Sequence, residues 1–470
     1  MSKIILSKDR FFDPNPDIRL IARELYEGIK NTPIISPHGH VDPKILYENT
    51  HFSNPSSLLL IPDHYIFRML YSQGINLERL GIPSIDGSEV EQDPRKIWKI
   101  FCDHYYLFLG TPTSIWLNYV FLKVFALDEF PDENNAMDIY EHIQAKLKTE
   151  EFKPRTIFER FNIEVLCTTE GANDPLKYHQ KIKESDWSGR VISAFRPDSI
   201  MNIAAEEWPN EIKKLSLVSN TEIDCYKKFI SAIENRRNYF KKMGSTSTDQ
   251  GILSPYTAKI SNNKAEEIFQ RALKCNANDN DQIVFVGNML IEMARMSVDD
   301  GLIMQIHPGS HRNHNEYMYQ KFGPDKGADI PLRTEYTKNL HPLLNTFGNN
   351  KKLSLVVFTL DESAYSRELA PLAGHYPAMK LGPPWWFHDS IEGMKRFRQM
   401  ATETAGIYNT VGFNDDTRAF LSIPARHDVC RRVDSNFLAD QVARHIITMD
   451  QAKKISQDLA YNLVKDSYKL

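Results

Sequence analysis

Two histidines separated by one residue, His38 and His40, follow the short apolar run of residues 33–37. If that run is a β-strand, side chains two positions apart point to the same side of it. The two imidazoles would then converge at the end of the strand, and imidazole nitrogen is a common ligand for zinc and similar metals. Because this spacing also occurs by chance, a metal site needs support from elsewhere in the chain.

A carboxylate near the other end of the chain could provide that support. The apolar run of residues 407–413 is followed by Asn414, Asp415 and Asp416. Two histidines and one aspartate would leave an open coordination position, which is typical of a catalytic metal rather than a structural one. Zinc suits such a ligand set, and manganese also tolerates mixed nitrogen and oxygen ligands, so the sequence does not choose between them.

Composition excludes several classes of protein. The chain has 470 residues, a net charge of −4 and no basic block, so we expect no nucleic-acid partner. No run approaches the roughly 18 apolar residues of a membrane span, and the apolar run at the N-terminus is too short for a signal peptide. The five cysteines are scattered, which is typical of reduced thiols. We therefore expect a cytoplasmic protein with no membrane partner.

Short β-rich runs alternate with longer helical patterns along most of the chain. This alternation predicts a parallel sheet, and eight runs favour an α/β fold of the (β/α)8 TIM-type barrel over an open sheet. The predicted strands are residues 33–37, 163–167, 191–195, 245–248, 302–306, 353–360, 378–381 and 410–413.

Chemically reactive side chains follow nearly every one of these runs. Arg196 and His307 stand at the ends of the third and fifth runs, and Trp385 and Trp386 follow the seventh. In barrel enzymes the active site is built at the carboxyl ends of the strands. The positions of these side chains therefore support the barrel and predict an active site at its mouth.

Residues 42–160 interrupt the alternation. They are rich in aromatic residues and follow helical periodicity, with Asp93 and Pro94 as a predicted N-cap and first residue of one helix. We predict a catalytic barrel domain formed by residues 1–41 and 161–470, and a helical insertion of residues 42–160 after the first strand that covers the barrel mouth.

Several short motifs, taken in order, resemble those of the uronate isomerase (glucuronate isomerase) family of the amidohydrolase superfamily. Three departures are visible: extra residues between Thr169 and Asp174, Gln250 where the family has histidine, and Thr417 where it has serine. The matching residues are 33–40, 63–65, 68, 168–169, 174–175, 195–198, 305–309, 312–313, 315, 323–325, 385–387, 389, 393–394, 416–422, 426–427 and 431–432.

The resemblance implies a reaction and a set of catalytic residues. The reaction would interconvert D-glucuronate with D-fructuronate, and D-galacturonate with D-tagaturonate, by proton transfer between C2 and C1. One divalent metal ion, zinc or manganese, would be bound by His38, His40 and Asp416. Tyr65 would shuttle the proton, with Asp416 as the rival carrier and His64 beside them. The resemblance also implies a small sugar-acid substrate, and we expect a homo-oligomer.

A uronate carries a carboxylate, which guanidinium groups bind through paired hydrogen bonds. Arg196 and Arg418 are the first candidates for this role, although each could instead form a structural ion pair. The other predicted substrate-binding residues are Arg68, His307, Trp385 and Trp386, and His307 could instead be an extra metal ligand. The two tryptophans could pack against the apolar faces of a sugar or form a hydrophobic plug, and the sequence leaves both open.

Two other functions compete with isomerisation. A metal-dependent hydrolase of the amidohydrolase type could act on a sugar acid or lactone through a metal-bound water. Such enzymes usually have more metal ligands, often including a lysine, and no lysine ends a predicted strand here. A non-catalytic carbohydrate-binding protein is the third possibility, and the set of reactive residues at the strand ends disfavours it.

Overall fold

A curled parallel sheet lies at the centre of the computed structural model, which describes residues 3–470. Within these residues, seven strands form the sheet in the order β1-β2-β3-β4-β5-β8-β9, and β6 and β7 form a small antiparallel ribbon. The strands are β1 (Ile34–Ser36), β2 (Ile163–Gly171), β3 (Arg190–Arg196), β4 (Ser247–Ile252), β5 (Ile303–Pro308), β6 (Ser310–His311), β7 (Ile330–Pro331), β8 (Leu355–Val357) and β9 (Met379–Leu381).

Helices connect the strands and pack around the sheet. Nowhere in residues 3–470 is a helix both long enough and apolar enough to cross a membrane. The α-helices are α1 (Pro16–Ile29), α2 (Pro43–Glu48), α3 (Pro55–Leu59), α4 (His64–Ser72), α5 (Pro94–Asp103), α6 (Pro112–Tyr119), α7 (Ala136–Leu147), α8 (Pro154–Arg160), α9 (Lys177–Lys183), α10 (Asp198–Met201), α11 (Trp208–Ser219), α12 (Tyr226–Lys242), α13 (Asn262–Leu273), α14 (Asp279–Asp300), α15 (Glu316–Phe322), α16 (His341–Phe347), α17 (Ala370–Ala373), α18 (Ile391–Ala405), α19 (Ile423–Ala443), α20 (Met449–Gln457) and α21 (Leu463–Tyr468). Short 3-10 helices span Leu77–Leu80, Tyr105–Phe108, Glu150–Phe152, Ile407–Asn409 and Phe420–Ser422, and π-helical turns span Val120–Val124, Tyr365–Leu369 and Asp458–Asn462.

The predicted α/β class and parallel sheet are confirmed, but the predicted eighth strand is not. Residues 410–413 form only an isolated parallel bridge between Thr410 and Leu381, and the Val411 amide donates to the Leu381 carbonyl at 3.1 Å. Gly412 has a φ of 80°, which turns the backbone out of the extended conformation. A complete eight-stranded barrel is therefore not confirmed by the hydrogen-bonding pattern.

The segment of residues 43–160 contains helices α2–α8 and no strand. Asp93 accepts a hydrogen bond from the Arg95 amide and Pro94 opens α5, as the sequence predicts. Trp98 and Phe101 of α5 belong to the same buried cluster as Ile34 of β1. Because this core is continuous with the sheet, the helices are held rigidly beside the first strands. The division into two domains stays a prediction.

The C-terminal helix closes the interior of the curled sheet. The side chain of Tyr468, only 1% exposed, packs in a cluster with Ile35 of β1 and Val356 of β8. Its hydroxyl donates a hydrogen bond of 3.0 Å to Oε1 of Gln305, on β5. The last turn of the chain therefore fills the space beneath the end of β5 that carries His307.

Glu170 is a largely buried carboxyl group near the end of β2, with its side chain 12% exposed. Thr168 donates to it at 2.8 Å from the same strand, and Ser193 of β3 donates a second hydrogen bond. Burial nevertheless raises the pKa of Glu170 to about 8, while burial lowers the pKa of the neighbouring His179 to about 4. Glu170 is therefore a carboxyl group that keeps its proton near neutral pH.

This raised pKa predicts a specific pH dependence of stability. An unfolded glutamate ionises near pH 4.3, so the stabilising contribution of Glu170 is complete below that pH and is lost as the pH rises through about 8. Relative to a Glu170→Gln variant, the wild-type free energy of unfolding should fall by up to about 1.4 kcal/mol per pH unit across this window. Urea unfolding over this pH range measures the difference.

Glu164, on the same strand, provides the matched control. Burial would raise its pKa, but the hydrogen bond from Lys465 holds it below the ordinary value. A Glu164→Gln variant should therefore keep the wild-type slope in this window. Equal slopes in wild type and Glu170→Gln would contradict the prediction.

Candidate active site

The active-site candidates meet where the end of β1 contacts the segment that follows residue 413. The Asp416 amide donates to the His38 carbonyl at 3.3 Å, and the His40 amide donates to the Thr417 carbonyl at 3.0 Å. Asp416 has a φ of 39°, in a region that non-glycine residues rarely occupy. These backbone contacts bring the side chain of Asp416 to the paired imidazoles.

Three imidazoles and one carboxylate cluster at this contact. Oδ1 of Asp416 lies 3.4 Å from Nε2 of His38 and 3.1 Å from Nε2 of His40. One potential ligand atom each of His38, His307 and Asp416 lies within 4.8 Å of the other two, a spacing that could hold a metal ion. His40 is not part of that group, and the position of His307 favours its alternative role as a further ligand beside the predicted three.

The hydrogen bonding of His307 fits a metal ligand. Its Nδ1 is paired with Oδ1 of Asp249 at 2.6 Å, which is the usual arrangement behind a metal-binding histidine. Its Nε2 is buried and has no hydrogen-bond partner among residues 3–470, and the same holds for Nδ1 of His38. A buried nitrogen without a hydrogen-bond partner lowers the stability of the folded state. A cation bound at this cluster would provide a partner for Nε2 of His307.

The protonation states of Asp416, His40 and His307 suit a cation, whereas for His38 the effect of burial, which lowers its pKa, is outweighed by Asp416 and Asp249, which raise it. Burial alone would raise the pKa of Asp416, but His38 and His40 hold it well below its usual value. Burial lowers the pKa of His40 and of His307 despite their aspartate neighbours. A metal ion needs ionised carboxylates and neutral imidazoles, and these pKa shifts favour that state for these three side chains.

A cavity opens above the cluster, with about 900 Å³ of empty space that includes part of the open solvent at its mouth. Every predicted site residue except Arg68 lines it. These residues are His38, His40, His64, Tyr65, Arg196, His307, Trp385, Trp386, Asp416 and Arg418. The structure therefore brings together in one cavity ten side chains from distant parts of the sequence.

His64 and Tyr65 reach the cavity from the first turn of α4. Asp63 is the N-cap of this helix and accepts a hydrogen bond of 2.9 Å from the Tyr65 amide. Burial raises the pKa of Tyr65 well above its usual value, and Asp389 adds to the shift. Burial and Arg418 lower the pKa of His64 to about 3. Both side chains are therefore neutral near pH 7, as a phenol and an imidazole.

The two predicted carboxylate-binding arginines are both ion-paired. Nε of Arg196 lies 2.7 Å from Asp198, and its Nη1 lies 3.3 Å from Asp249. Arg418, whose side chain is 41% exposed, contacts Asp325 at 3.1 Å. In the described chain Nη2 of Arg196 makes no hydrogen bond, so one donor group remains for a ligand.

The loop of residues 382–390 between β9 and α18, here called the tryptophan loop, combines packing with exposure to the cavity. Trp386 stacks on His64 at 5.3 Å between ring centroids, and Trp385 packs edge-on against His307 at 4.6 Å. Arg68 does not line the cavity: its guanidinium lies 4.9 Å from the ring centroid of Phe387, and it packs over Tyr65 as well. The structure therefore places Arg68 behind the cavity wall, and its predicted role in substrate binding stays a prediction.

Sequence reasoning did not place several cavity-lining residues in the site. Asp249 lies within β4 rather than after it, because that strand runs to Ile252 instead of ending at residue 248 as predicted. Arg426 lies on α19, away from any strand end, so no strand-end pattern could reveal it. The remaining additions are Pro62, Asp63, Arg312, Asp325, Thr417 and Ala419.

A model of the glucuronate isomerase family matches residues 17–468 of the chain. The chain belongs to this family. A uronate isomerase from Caulobacter vibrioides is 52% identical over 463 residues, which cover 98% of this chain and 95% of that protein. The resemblance inferred from the sequence motifs is therefore confirmed.

Solved structures agree with this assignment. Glucuronate isomerase from Caulobacter crescentus matches with a TM-score of 0.98 and 52% identity, over 99% of this chain and 97% of that one. Uronate isomerase from Thermotoga maritima matches with a TM-score of 0.92 and 25% identity, over 99% of both chains. The family fold thus extends along nearly the whole chain.

Proposed function

We propose that this member of the glucuronate isomerase family interconverts D-glucuronate with D-fructuronate, and D-galacturonate with D-tagaturonate. The observation that carries the proposal is the match to uronate isomerases over almost the full length of the chain. The cavity supports it, because it combines acid–base groups with arginines suited to a sugar acid.

We also propose that residues 410–417 take the place of the eighth strand of a barrel. The bridge of Thr410 to Leu381 on one side, and the hydrogen bonds of Asp416 and Thr417 to residues 38–40 on the other, support this placement. In the same proposal residues 42–160 form the helical insertion over the mouth, since His64 and Tyr65 reach the cavity from it. A homo-oligomer and a cytoplasmic location stay predictions.

Isomerisation moves one proton between C2 and C1 and another between the two oxygens, so acid and base must both lie within hydrogen-bond reach. Of the two carriers considered from the sequence, Asp416 rather than Tyr65 is the proposed acceptor of the carbon-bound proton, because its pKa lies well below the usual value and its carboxylate is ionised. The pKa of Tyr65 lies well above its usual value, so the phenol keeps a proton for a substrate oxygen. Neutral His64 can donate to or accept from a hydroxyl group beside them.

The metal proposal follows from the same cluster. We propose that one divalent ion, zinc or manganese, binds His38, His40 and Asp416, with His307 as a further candidate ligand. When bound, such an ion would neutralise part of the negative charge and polarise a substrate oxygen. The protein side chains position the proton carriers and the substrate around it.

Arg196 and Arg418 are the proposed contacts of the substrate carboxylate. Both line the cavity, and each has guanidinium hydrogens beyond those used in its ion pairs. Trp386 forms one wall, where its ring already stacks on His64.

The activity is tested by incubating the purified protein with D-glucuronate, and separately D-galacturonate, in deuterated water. We expect NMR spectra to show the corresponding 2-keto acid, and retention of protium at C1 would indicate that one group carries the proton between the carbons. Failure to convert either uronate, together with hydrolysis of a sugar lactone, would overturn the isomerase in favour of a hydrolase.

Metal binding is tested by elemental analysis after reconstitution with zinc or manganese. We expect about one ion per chain in the wild type and much less in His38→Ala, because each ligand contributes directly to affinity. His179→Ala is the matched control, since His179 is equally buried but lies on α9, away from the cavity. Equal metal content in all three proteins would contradict this site.

Replacing Arg196 tests the carboxylate contact. We expect Arg196→Met to raise KM for D-glucuronate by about 10- to 150-fold, the range for loss of a charge-assisted hydrogen bond of about 1.5–3 kcal/mol. Arg295→Met is the control, because Arg295 is ion-paired to Glu234 and Glu292 outside the cavity. Circular dichroism should show that both variants are folded. A wild-type KM in Arg196→Met would remove Arg196 from the substrate site.

A further inference from the structure

A buried ion pair lies beside Tyr65, and its arginine, Arg426, also lines the substrate cavity. Nη1 of Arg426 donates to Oδ2 of Asp389 at 2.8 Å. Asp389 is 7% exposed and Arg426 is 3% exposed. Neither residue belongs to the set that the sequence predicts as catalytic, yet the carboxylate reaches the hydroxyl of the predicted proton shuttle.

Arg426 is held rigidly, and it fixes Asp389. Its Nε donates to Ser422 at 3.2 Å, its Nη1 also donates to the Asp415 carbonyl at 3.3 Å, and its guanidinium lies 3.5 Å from the ring centroid of Trp116. These contacts orient the carboxylate so that Oδ2 accepts from Arg426 while Oδ1 lies toward Tyr65.

The hydroxyl of Tyr65 has a definite set of partners. Its oxygen lies 3.4 Å from Oδ1 of Asp389, and it accepts from the Phe387 amide, also at 3.4 Å. A phenol has one hydrogen and two lone pairs. With the hydrogen directed at Asp389 and one lone pair at Phe387, the second lone pair is left for the cavity that Tyr65 lines.

This arrangement has a chemical consequence. Burial, reinforced by Asp389, raises the pKa of Tyr65, so a free phenolate is strongly disfavoured. Burial also raises the pKa of Asp389, despite the neighbouring Arg426, so its carboxylate accepts a proton more readily than an exposed one. The phenol oxygen can therefore accept a proton from the cavity only if it gives up its own.

We propose that Asp389 is the positioning residue of Tyr65, and that it takes the phenol hydrogen whenever Tyr65 accepts a proton from the substrate. This inference rests on the proposed isomerisation. The inference goes beyond the proposed isomerisation by assigning Asp389 and its partner Arg426 to the proton path.

The proton transfers balance in both directions. A substrate hydroxyl gives its proton to Oη of Tyr65, while the original O–H bond of Tyr65 breaks and that proton binds Oδ1 of Asp389. The negative charge moves from Asp389 to the substrate oxygen. In reverse, Asp389 returns its proton to Oη, and Tyr65 protonates the other substrate oxygen, so no phenolate forms at any stage.

The test is a double-mutant cycle on kcat with D-glucuronate. Asp389→Asn should lower kcat about 100-fold, within the range of a lost acid–base contribution, and change KM by less than about threefold. In a Tyr65→Phe background the same change should lower kcat by less than about twofold, because the path through the phenol is already gone. Asp389→Glu, which restores a carboxylate, should recover much of the lost kcat.

Asp434→Asn is the matched control. Asp434 is buried and ion-paired to Arg398 at 2.6 Å, outside the cavity. Its replacement should lower thermal stability while leaving kcat within about twofold of wild type, since it removes a buried ion pair without touching Tyr65.

Two results would overturn the inference. One is an Asp389→Asn enzyme with wild-type kcat. The other is a loss of kcat on Asp389→Asn replacement that is equally large in wild type and in the Tyr65→Phe background, which would indicate that the ion pair of Asp389 and Arg426 has only a structural role. If Asp389→Asn does not fold, Asp389→Ser takes its place in the cycle, because the smaller side chain also removes the carboxylate from beside Tyr65. Wild-type turnover is measured first, so a failure of the isomerase proposal itself is recognised separately.

Discussion

Two backbone hydrogen bonds between residues 38–40 and residues 416–417 determine whether an active site exists in this fold. They join the end of the first strand to a segment near the end of the chain, and they hold Asp416 in a left-handed conformation that the side chain alone would not favour. Helix α19 reinforces the contact, because Arg431 donates to the carbonyls of Thr32 and Pro33 just before β1. The geometry of the acid–base cluster therefore depends on the contact between these two distant segments of the chain, and not on any single helix or strand.

The arginines of the cavity are already paired with aspartates in the absence of a substrate. Arg196, Arg418 and Arg426 are each paired with at least one aspartate, and Asp249 is shared between Arg196 and His307. A sugar acid adds a negative charge to this arrangement, so it must compete for an arginine. Arg418 is the most exposed of the three and its pair with Asp325 lies near solvent, where ion pairs are weak. Binding at Arg418 therefore disturbs the least stable of the three pairs.

Short-range sequence patterns predicted helices and strands, whereas contacts between distant residues determined the features that the sequence did not reveal. The N-cap at Asp93 and the helix that begins after Ser390 follow from short-range hydrogen bonding, which the sequence encodes directly. The predicted eighth strand is absent because Gly412 has a positive φ, which interrupts the extended backbone. The tightly packed surroundings favour glycine at this position, since a side chain added there would collide with Val464. Asp389 and Arg426 could not be paired from sequence, since their contact arises only when α19 packs beside the tryptophan loop.

The tryptophan loop joins the two parts of the active site, one at the ends of the sheet strands and the other on α4, through direct contacts. Trp386 and Phe387 have φ values of 20° and 63°, conformations that bulky residues adopt at a cost of order 1–3 kcal/mol each. Stacking of Trp386 on His64 and of Arg68 on Phe387 offsets that cost through contacts with α4. In return, the strained backbone directs the Phe387 amide at the Tyr65 hydroxyl. The loop after β9 and the first turn of α4 therefore stabilise each other, and the orientation of the phenol depends on both.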